Sequence, residues 1–555
     1  MALDEGDQDM TGINVVWLNH NEGSPNRGYW SYGWLEEVLR PPSSDLWDTH
    51  VFYQHDSVQT VEEGCGAIVV VPAEYNADHV AKINSDLATL PWVVLVLASD
   101  ERGLFPVEDL APHPALKLWV MTPHFDTHSY PEGTQFLGVG YPQDARALIA
   151  NSAWSYHRAH QFGFSGQITH ERRTQMAEAL RQIPDGYLNE TAGFTQGLAR
   201  QEYYQMLVKS VTIPAPSGPV TLDSFRAYEA LEAGGIPLLD NVCPVKQDGQ
   251  LYWEAVLGHD HPLIRIDDWE GAFPHIRRNN SMYPWKSTKI FSWWQMYKRD
   301  LRHRLLDGVP GINHGDVTFL VPTSPIPSHP SLEIIEETLA SIRFHFPTAD
   351  IIIMCDGVRE EQGFRNEDYQ QYLQQLLWKC NTEYTNTYPL VFNSFSHQAN
   401  MTRRALDYVK TPLVSFVEHD TPFVTDRPFD WPALIDLTKS DDIEMIRFHF
   451  EASINPEHEH MTLDPEPVTL HGVPVRRTIQ WSQRPHLAKT DYYRKIIAEH
   501  FPMTGRTMIE DKMHSVAQCD PDQHRIAIYH PEGSIVRSRT TDGRGDDPKY
   551  DMVFE

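Results

Sequence analysis

The sequence predicts an α/β protein assembled from several units with parallel sheets, and three observations carry that reading. Near-continuous apolar runs of strand length recur, as at Ala67–Val71, Trp92–Leu97 and Ile351–Met354; helical or polar stretches separate them; and polar or acidic residues gather where the runs stop. At 555 residues the chain exceeds what one hydrophobic core organises and divides into about three domains.

Taken in order, Ile13–Leu18 is a short strand entering the polar loop Asn19–Gly28, of a kind that lines sites in open sheets, and Trp30–Leu39 has helical apolar spacing. With strands at Ala67–Val71, Trp92–Leu97 and Leu118–Met121 this makes one doubly wound unit, residues 12–145. Asp100 and Glu101 read as surface acids after a strand, or as acids facing a substrate. A second unit, 146–308, contains Phe162–Gln167, a strand entering a glycine turn, and a helix from Glu171 to about Arg181. The donors of that turn and helix start, with Arg172 or Arg173, suit a diphosphate. In Thr221–Leu239, Asp223 or Ser224 caps a helix, Gly234 and Gly235 end it, and Ile236–Leu239 is the next strand. Ser224, Arg226 and Glu229 fall near the helix start, where a nucleotide's phosphates and ribose would be met; an ordinary helix with polar outer residues has the same pattern.

From His261 to Leu306, Arg277, Arg278, Lys286, Lys289, Lys298, Arg299, Arg302 and Arg304 interleave with Trp285, Trp293, Trp294 and Tyr297. The mixture suits a phosphate-rich strand or a sugar, and equally a long helix packed across two lobes by its aromatics with solvated charges outside. Residues 309–316 read as a linker, and 317–540 as a third unit.

That third unit opens with a strand at Val317–Val321, a proline- and serine-rich loop, and a helix at Ser331–Phe344. Ile351–Met354 ends in Cys355-Asp356-Gly357, where Asp356 is placed to accept hydrogen bonds from a nucleoside. A helix at Ser396–Leu406 carries Asn400 and Arg403. Next, Val414–Asp420 reads as a buried strand whose alternation puts Glu418 and Asp420 on one face, an oxygen-ligand pair for a hard cation; an acidic turn after a core strand is the competing reading. Glu510 and Asp511 sit at the start of another helix, a placement that suits a general base and is also common in ordinary helices. His530 is a lone histidine near the end of the unit, and the tail Arg537–Asp547 is a flap or a frayed end.

Composition narrows the function. A formal charge of −30 counts against a general nucleic-acid binder. Five scattered cysteines fit a reducing, intracellular setting, and neither a signal peptide nor a bilayer-length apolar run is present, so a cytoplasmic location is expected, the host cytoplasm were the protein viral.

The Ser224-Phe225-Arg226-Ala227-Tyr228-Glu229-Ala230-Leu231 helix, followed by Gly234-Gly235-Ile236-Pro237 and taken with the Phe164-Ser165-Gly166 turn, resembles the nucleotide-sugar half of GT-B glycosyltransferases, specifically the exostosin-type domain. The resemblance implies that Glu229 grips the ribose hydroxyls, with Arg226 and Arg172 or Arg173 near the diphosphate. The order of the third unit resembles the nucleotide-sugar half of family-2-like GT-A glycosyltransferases, which carry Asp-x-Asp where this chain has Glu418-His419-Asp420. It implies manganese or magnesium on Asp420, with Glu418 and His530 as further ligands, and Asp511 or Glu510 as the base. The expected architecture is thus a GT-B pair of Rossmann-like lobes followed by a GT-A domain. The expected activity is a bifunctional, nucleotide-sugar-dependent hexosyl- or pentosyltransferase acting on a glycan, a protein or a modified nucleic-acid base. The rivals are one active module beside a degenerate one, a viral-type enzyme glycosylating hydroxymethylated DNA, and a carbohydrate-binding protein without turnover.

Overall fold

The computed structural model describes residues 11–18, 30–39, 50–72, 77–98, 100–193, 196–245, 247–312 and 314–541. The expected loop Asn19–Gly28 and the tail beyond residue 541 lie outside them. The chain forms two compact units, Met1–Asn313 and His314–Glu555. Among the described residues no helix is long and apolar enough to cross a membrane.

The first unit has two lobes. In the first lobe the strands β1 (Thr11–Trp17), β2 (His50–His55), β3 (Ala67–Pro72), β4 (Val93–Ala98), β5 (Leu116–Met121) and β6 (Gln135–Leu137) form a parallel sheet in the order β2-β1-β3-β4-β5-β6. The aliphatic runs become central strands because both faces are covered; helix Ala77–Leu87, for instance, lays Val80, Ile83 and Leu87 on Val69, Val71, Leu95 and Leu97. In the second lobe β7 (His160–Gln167), β8 (Tyr187–Thr191), β9 (Ser210–Ala215), β10 (Ile236–Asp240) and β11 (Ile264–Ile266) are parallel in the order β11-β10-β9-β7-β8. Each lobe's first strand lies between its second and third. The chain therefore winds both ways from β1/β3 and from β7/β9, and the crevice beyond the carboxyl ends of such a strand pair is where doubly wound sheets take ligands.

Buried polar contacts join the lobes. Asp223, just before helix Phe225–Glu232, is fully enclosed and accepts from the first lobe's Val139 N–H (3.0 Å) and from its own lobe's Ser224 N–H (2.8 Å), Tyr228 hydroxyl (3.1 Å) and Tyr252 hydroxyl (3.0 Å). Gly138 makes this approach possible, since a Cβ there would lie 1.7 Å from the Tyr228 oxygen. The helix Trp285–Leu306 runs against both lobes: Trp294 stacks on Trp34 at 5.5 Å, and Arg302 Nε donates to Leu39 O at 3.1 Å. For Trp294 and Tyr297 the packing reading of the aromatic stretch is the one realised, since both are buried. Glu232 accepts from Trp294 Nε1 and Lys298 Nζ, each at 2.7 Å, with Arg146 at 3.9 Å; burial alone would raise its carboxyl, but those two cations hold it low. Glu37, beside the same Arg146, Glu232 and Lys298 and bonded to Tyr141, is pushed up to about 7, chiefly by burial.

The second unit is one nine-stranded sheet, formed by β12 (Val317–Thr323), β13 (Ile351–Cys355), β14 (Thr387–Val391), β15 (Leu413–Phe416), β16 (Met445–Arg447), β17 (Val468–Leu470), β18 (Val473–Thr478), β19 (His486–Lys489) and β20 (Ile526–Tyr529). The order is β14-β13-β12-β15-β19-β16-β20-β18-β17. The first four are parallel, β19 is antiparallel to both neighbours, and β20 is parallel to β16. The strand expected over Val414–Asp420 is shorter. β15 stops at Phe416, and Thr421 returns its N–H (3.0 Å) and hydroxyl (3.1 Å) to Glu418 O, so residues 418–421 are a turn and strand alternation does not set where Glu418 and Asp420 point.

Two outcomes test these contacts. Asp223→Ala strands two backbone N–H groups and two tyrosine hydroxyls in a dry interior, and should cost about 3 kcal/mol or more in urea unfolding. Between the ordinary 4.5 of a glutamate and about 7, the folded chain keeps a proton on Glu37 that the unfolded chain has released. Stability therefore falls as pH rises through that window. Glu37→Gln should gain on the parent in thermal unfolding from pH 4.5 to 7, and the difference should be level outside that range.

Candidate functional site

In the second lobe, the amino termini of helices Glu171–Leu180, Arg200–Val208 and Phe225–Glu232 gather polar groups near the carboxyl end of β7. Arg226 Nη2 donates to Ser165 O at 2.8 Å, and its guanidinium covers Phe164 at 4.3 Å. Arg173 donates to Gln167 O at 3.1 Å. Burial, and the neighbouring Arg226 charge, bring its guanidinium down to about 10. The Nε of each arginine is buried without a hydrogen-bond partner. Two neighbouring like charges, each with a buried and unpartnered Nε, at the switch point between β7 and β9 form a place that an anion such as a diphosphate would relieve. Ser224 precedes helix Phe225–Glu232 without a side-chain capping bond, so the helix's amino end is not closed by its own cap.

Two of the expected contacts are arranged differently. Glu229 is buried, and its oxygens accept from the hydroxyls of Tyr203 (2.6 Å) and Tyr204 (2.9 Å), while burial raises its carboxyl. It orients two tyrosines beside Arg226 instead of reaching outward to a ribose. Arg172 is engaged by fully buried Asp240, Nη2 to Oδ1 at 2.5 Å and Nε to Oδ2 at 3.2 Å, and by Asp267 O at 3.0 Å. Asp240 also accepts from Ser217 N–H, Val242 N–H and Trp269 Nε1, so Arg172 neutralises an interior charge.

In the second unit, Asp356 and the Glu418–Asp420 turn flank the end of β12: Asp356 N–H donates to Thr323 O (3.0 Å) and His419 N–H to Pro322 O (3.3 Å). The buried Asp356 carboxylate accepts from Gly357 N–H (2.8 Å), Ser396 N–H (2.7 Å) and His397 N–H (3.1 Å), so it fastens the start of helix His397–Leu406 instead of facing a nucleoside. Asn400 and Arg403 on that helix are also used internally. Asn400 donates to Ser396 O and Gly505 O, and Arg403 donates to Asn400 Oδ1, Ile497 O and Phe501 O. Glu510 and Asp511 separate by one helical step. Glu510 accepts Gln483 N–H at 3.0 Å and lies near the buried Arg447, whereas Asp511 is exposed and near enough to His397 to affect its charge. Beside them Arg359 and Arg506 lie over the Phe395 ring, at 4.7 and 5.4 Å.

The set Glu418, Asp420 and His530 is not brought together. His530 hangs from β18 through Pro474 O and neighbours Arg476 and Glu466, and among the described residues no group of three or more His, Cys, Asp or Glu is placed to hold a metal. Glu418 and Asp420 remain two carboxylates on one turn, without a third such group beside them among the described residues.

Sequence reasoning missed Tyr203, Tyr204, Asp240, Phe395 and Arg506. The first two precede the apolar run Ser210–Ala215, whose strand character was a usable signal; Asp240 closes a predicted strand; Phe395 and Arg506 are far apart in sequence and had none.

Residues 187–310 match the family model described as the RXYLT1 C-terminal domain. That span holds Tyr203, Tyr204, Arg226 and Glu229 and stops short of Arg172 and Arg173. No curated protein matches the chain. Among solved structures the chain is similar to residues 1–349 of S. aureus TarS, at 18% identity over 41% of this chain and 60% of that one with a TM-score of 0.28. It is similar to the same TarS fragment in complex with UDP-GlcNAc, at 17%, 41%, 59% and 0.29. It is also similar to the mannosyltransferase PcManGT from Pyrobaculum calidifontis in complex with GDP-Man and Mn2+, at 12%, 41%, 58% and 0.27. The chain thus spans about three-fifths of the length of these three structures.

A close backbone approach in the arginine site gives a test. A Cβ on Gly166 would lie 2.7 Å from Arg226 Nη2, displacing the guanidinium. Gly166→Ala should weaken binding of a nucleoside diphosphate about tenfold by calorimetry, roughly 1.4 kcal/mol, with the unfolding midpoint nearly unmoved.

Proposed function

We propose that this chain is a glycosyltransferase using nucleotide-activated sugars, with one donor site at the β7/β9 switch point and a second at the carboxyl edge of the nine-stranded sheet. The observation that carries it is the convergence, in one lobe, of a family-model match and an arginine pair with unsatisfied donors at a doubly wound switch point. The family named by that match is one of glycosyltransferases.

In this reading Arg173 and Arg226 meet the diphosphate of the donor and offset the charge that builds on it as the glycosidic bond breaks. Tyr203, held by Glu229, keeps Arg226 in place. In the second unit Asp511 is the base. It takes the proton of the acceptor hydroxyl while that oxygen bonds to the anomeric carbon, and the nucleoside diphosphate leaves with the electron pair of the broken bond. Glu510 is anchored to Gln483 and serves to position the helix start. A glycan is the favoured acceptor, because a net charge of −30 disfavours a nucleic acid.

The test is turnover of UDP- and GDP-sugars by the full chain, with and without manganese, for the parent, Arg226→Ala and Asp511→Asn. Arg226→Ala should abolish binding and turnover of one donor, and Asp511→Asn should lower kcat for a different donor by about 100-fold or more with its KM little changed. Loss confined to one substitution would make the other unit a non-catalytic partner. Sugar binding that ignores the nucleotide and never turns over would replace this reading with a carbohydrate-binding protein.

A further inference from the structure

The basic half of the aromatic stretch has a use that the helix's packing leaves open. Helices Ala272–Ser281 and Trp285–Leu306 meet at a short connection, and Arg277, Arg278, Lys286 and Lys289 lie on either side of it. Arg277 rests over the Phe273 ring at 5.5 Å and Lys286 donates to Asn279 Oδ1 at 2.5 Å, but among the described residues no carboxylate pairs with any of the four cations. His275 lies within the same charges, as burial together with Lys286 and Arg278 lowers its imidazole. Two large aromatics stand out at this junction, Phe273 at 39% and Trp285 at 38% exposure. In a chain of net charge −30, the exposed Arg277 and Arg278 beside the exposed rings, with Lys286 and Lys289 half-buried behind them, form a face of opposite character to the chain's net charge.

The position of this face is fixed by backbone contacts. Asn280 Nδ2 donates to Gln161 O at 3.2 Å, near the start of β7, and Ser287 Oγ donates to Gly234 O at 2.7 Å, just before β10. The junction therefore lies at the amino edge of the sheet. The arginine site lies beyond the carboxyl end of β7, roughly 25 Å away along an eight-residue strand. A substrate held at the donor site does not reach this face, so it calls for a partner of its own.

We propose that the face around Phe273, Arg277, Arg278 and Trp285 docks on an anionic membrane surface. Lysine and arginine are drawn to the negative headgroups, and the amphipathic Trp285 and the Phe273 ring suit the boundary between headgroups and acyl chains. A nucleic acid would use the cations and stack bases on open ring faces, but Arg277 already covers the Phe273 face and both rings stand little more than one-third exposed, which suits insertion at a boundary better than a stacking platform. A sulfated polysaccharide would leave the rings unused. Docking in this way leaves the carboxyl edge of the second lobe, with Arg173 and Arg226, turned to the water.

The experiment is co-sedimentation of the full chain with phosphatidylcholine vesicles and with vesicles of 70% phosphatidylcholine and 30% phosphatidylserine, at low and at physiological salt. Binding should require phosphatidylserine and weaken with salt. Arg277→Glu with Arg278→Glu should lower the partition coefficient at least about tenfold. Trp285→Ser should lower it several-fold at physiological salt, and donor turnover in solution should stay at the parent level in both variants. Equal partition into both vesicle types, or an unchanged partition of the double variant, overturns the proposal. So does tight binding of duplex DNA or dextran sulfate by a chain that ignores the vesicles.

Discussion

The buried carboxylate of Asp223 is the contact on which the first unit depends. It binds Val139 of one lobe and Tyr228 and Tyr252 of the other, and it stands one residue before the Ser224 that opens the Arg226 helix. The joint between lobes and the origin of the helix that aims Arg226 are therefore the same few atoms. Burial raises its carboxyl to about 6, so four donors only partly offset the loss of water. Such a group tolerates little displacement, because any gap would leave a nearly dry carboxylate without partners.

The same device recurs at other strand ends. Asp100 holds the N–H groups of Leu104 and Phe105, Asp240 holds those of Ser217 and Val242 together with Arg172, and Asp356 holds those of Gly357, Ser396 and His397. The carboxyl edge of a parallel sheet is a row of turns and helix starts with many unpaired amides, and a carboxylate can be consumed by them before any ligand arrives. Acids that escape this, such as exposed Asp511, stand where the local backbone already has its partners.

That distinction limits what was legible. The strands Ala67–Pro72, Val93–Ala98 and Ile351–Cys355 and the helix Trp30–Leu39 were readable because apolar runs and helical spacing follow directly from burial on two faces or one. The α/β class and its parallel sheets followed from their alternation. The end of β15 was misplaced because Val417 and His419 still bond to β12 while the chain already turns at Glu418–Thr421, so pattern alone ran the strand too far. Glu229 was expected at a ribose and Arg172 near a diphosphate, but their partners Tyr203, Tyr204 and Asp240 lie 25 to 68 residues away and engage both side chains inside the lobe.

What the sequence by itself determined is the class of fold and which runs become strands and helices, since apolar periodicity and the positions of glycine, arginine and acid are local properties of the chain. Only the tertiary structure decided which charges are spent on the protein's own interior and which remain open. That choice separates Arg172 from Arg173, Glu510 from Asp511, and the buried Trp294 from the exposed Trp285. The physical reason is that the charge of a side chain is written in the sequence, whereas its partners and its distance from water are set by segments that meet only when the chain has folded.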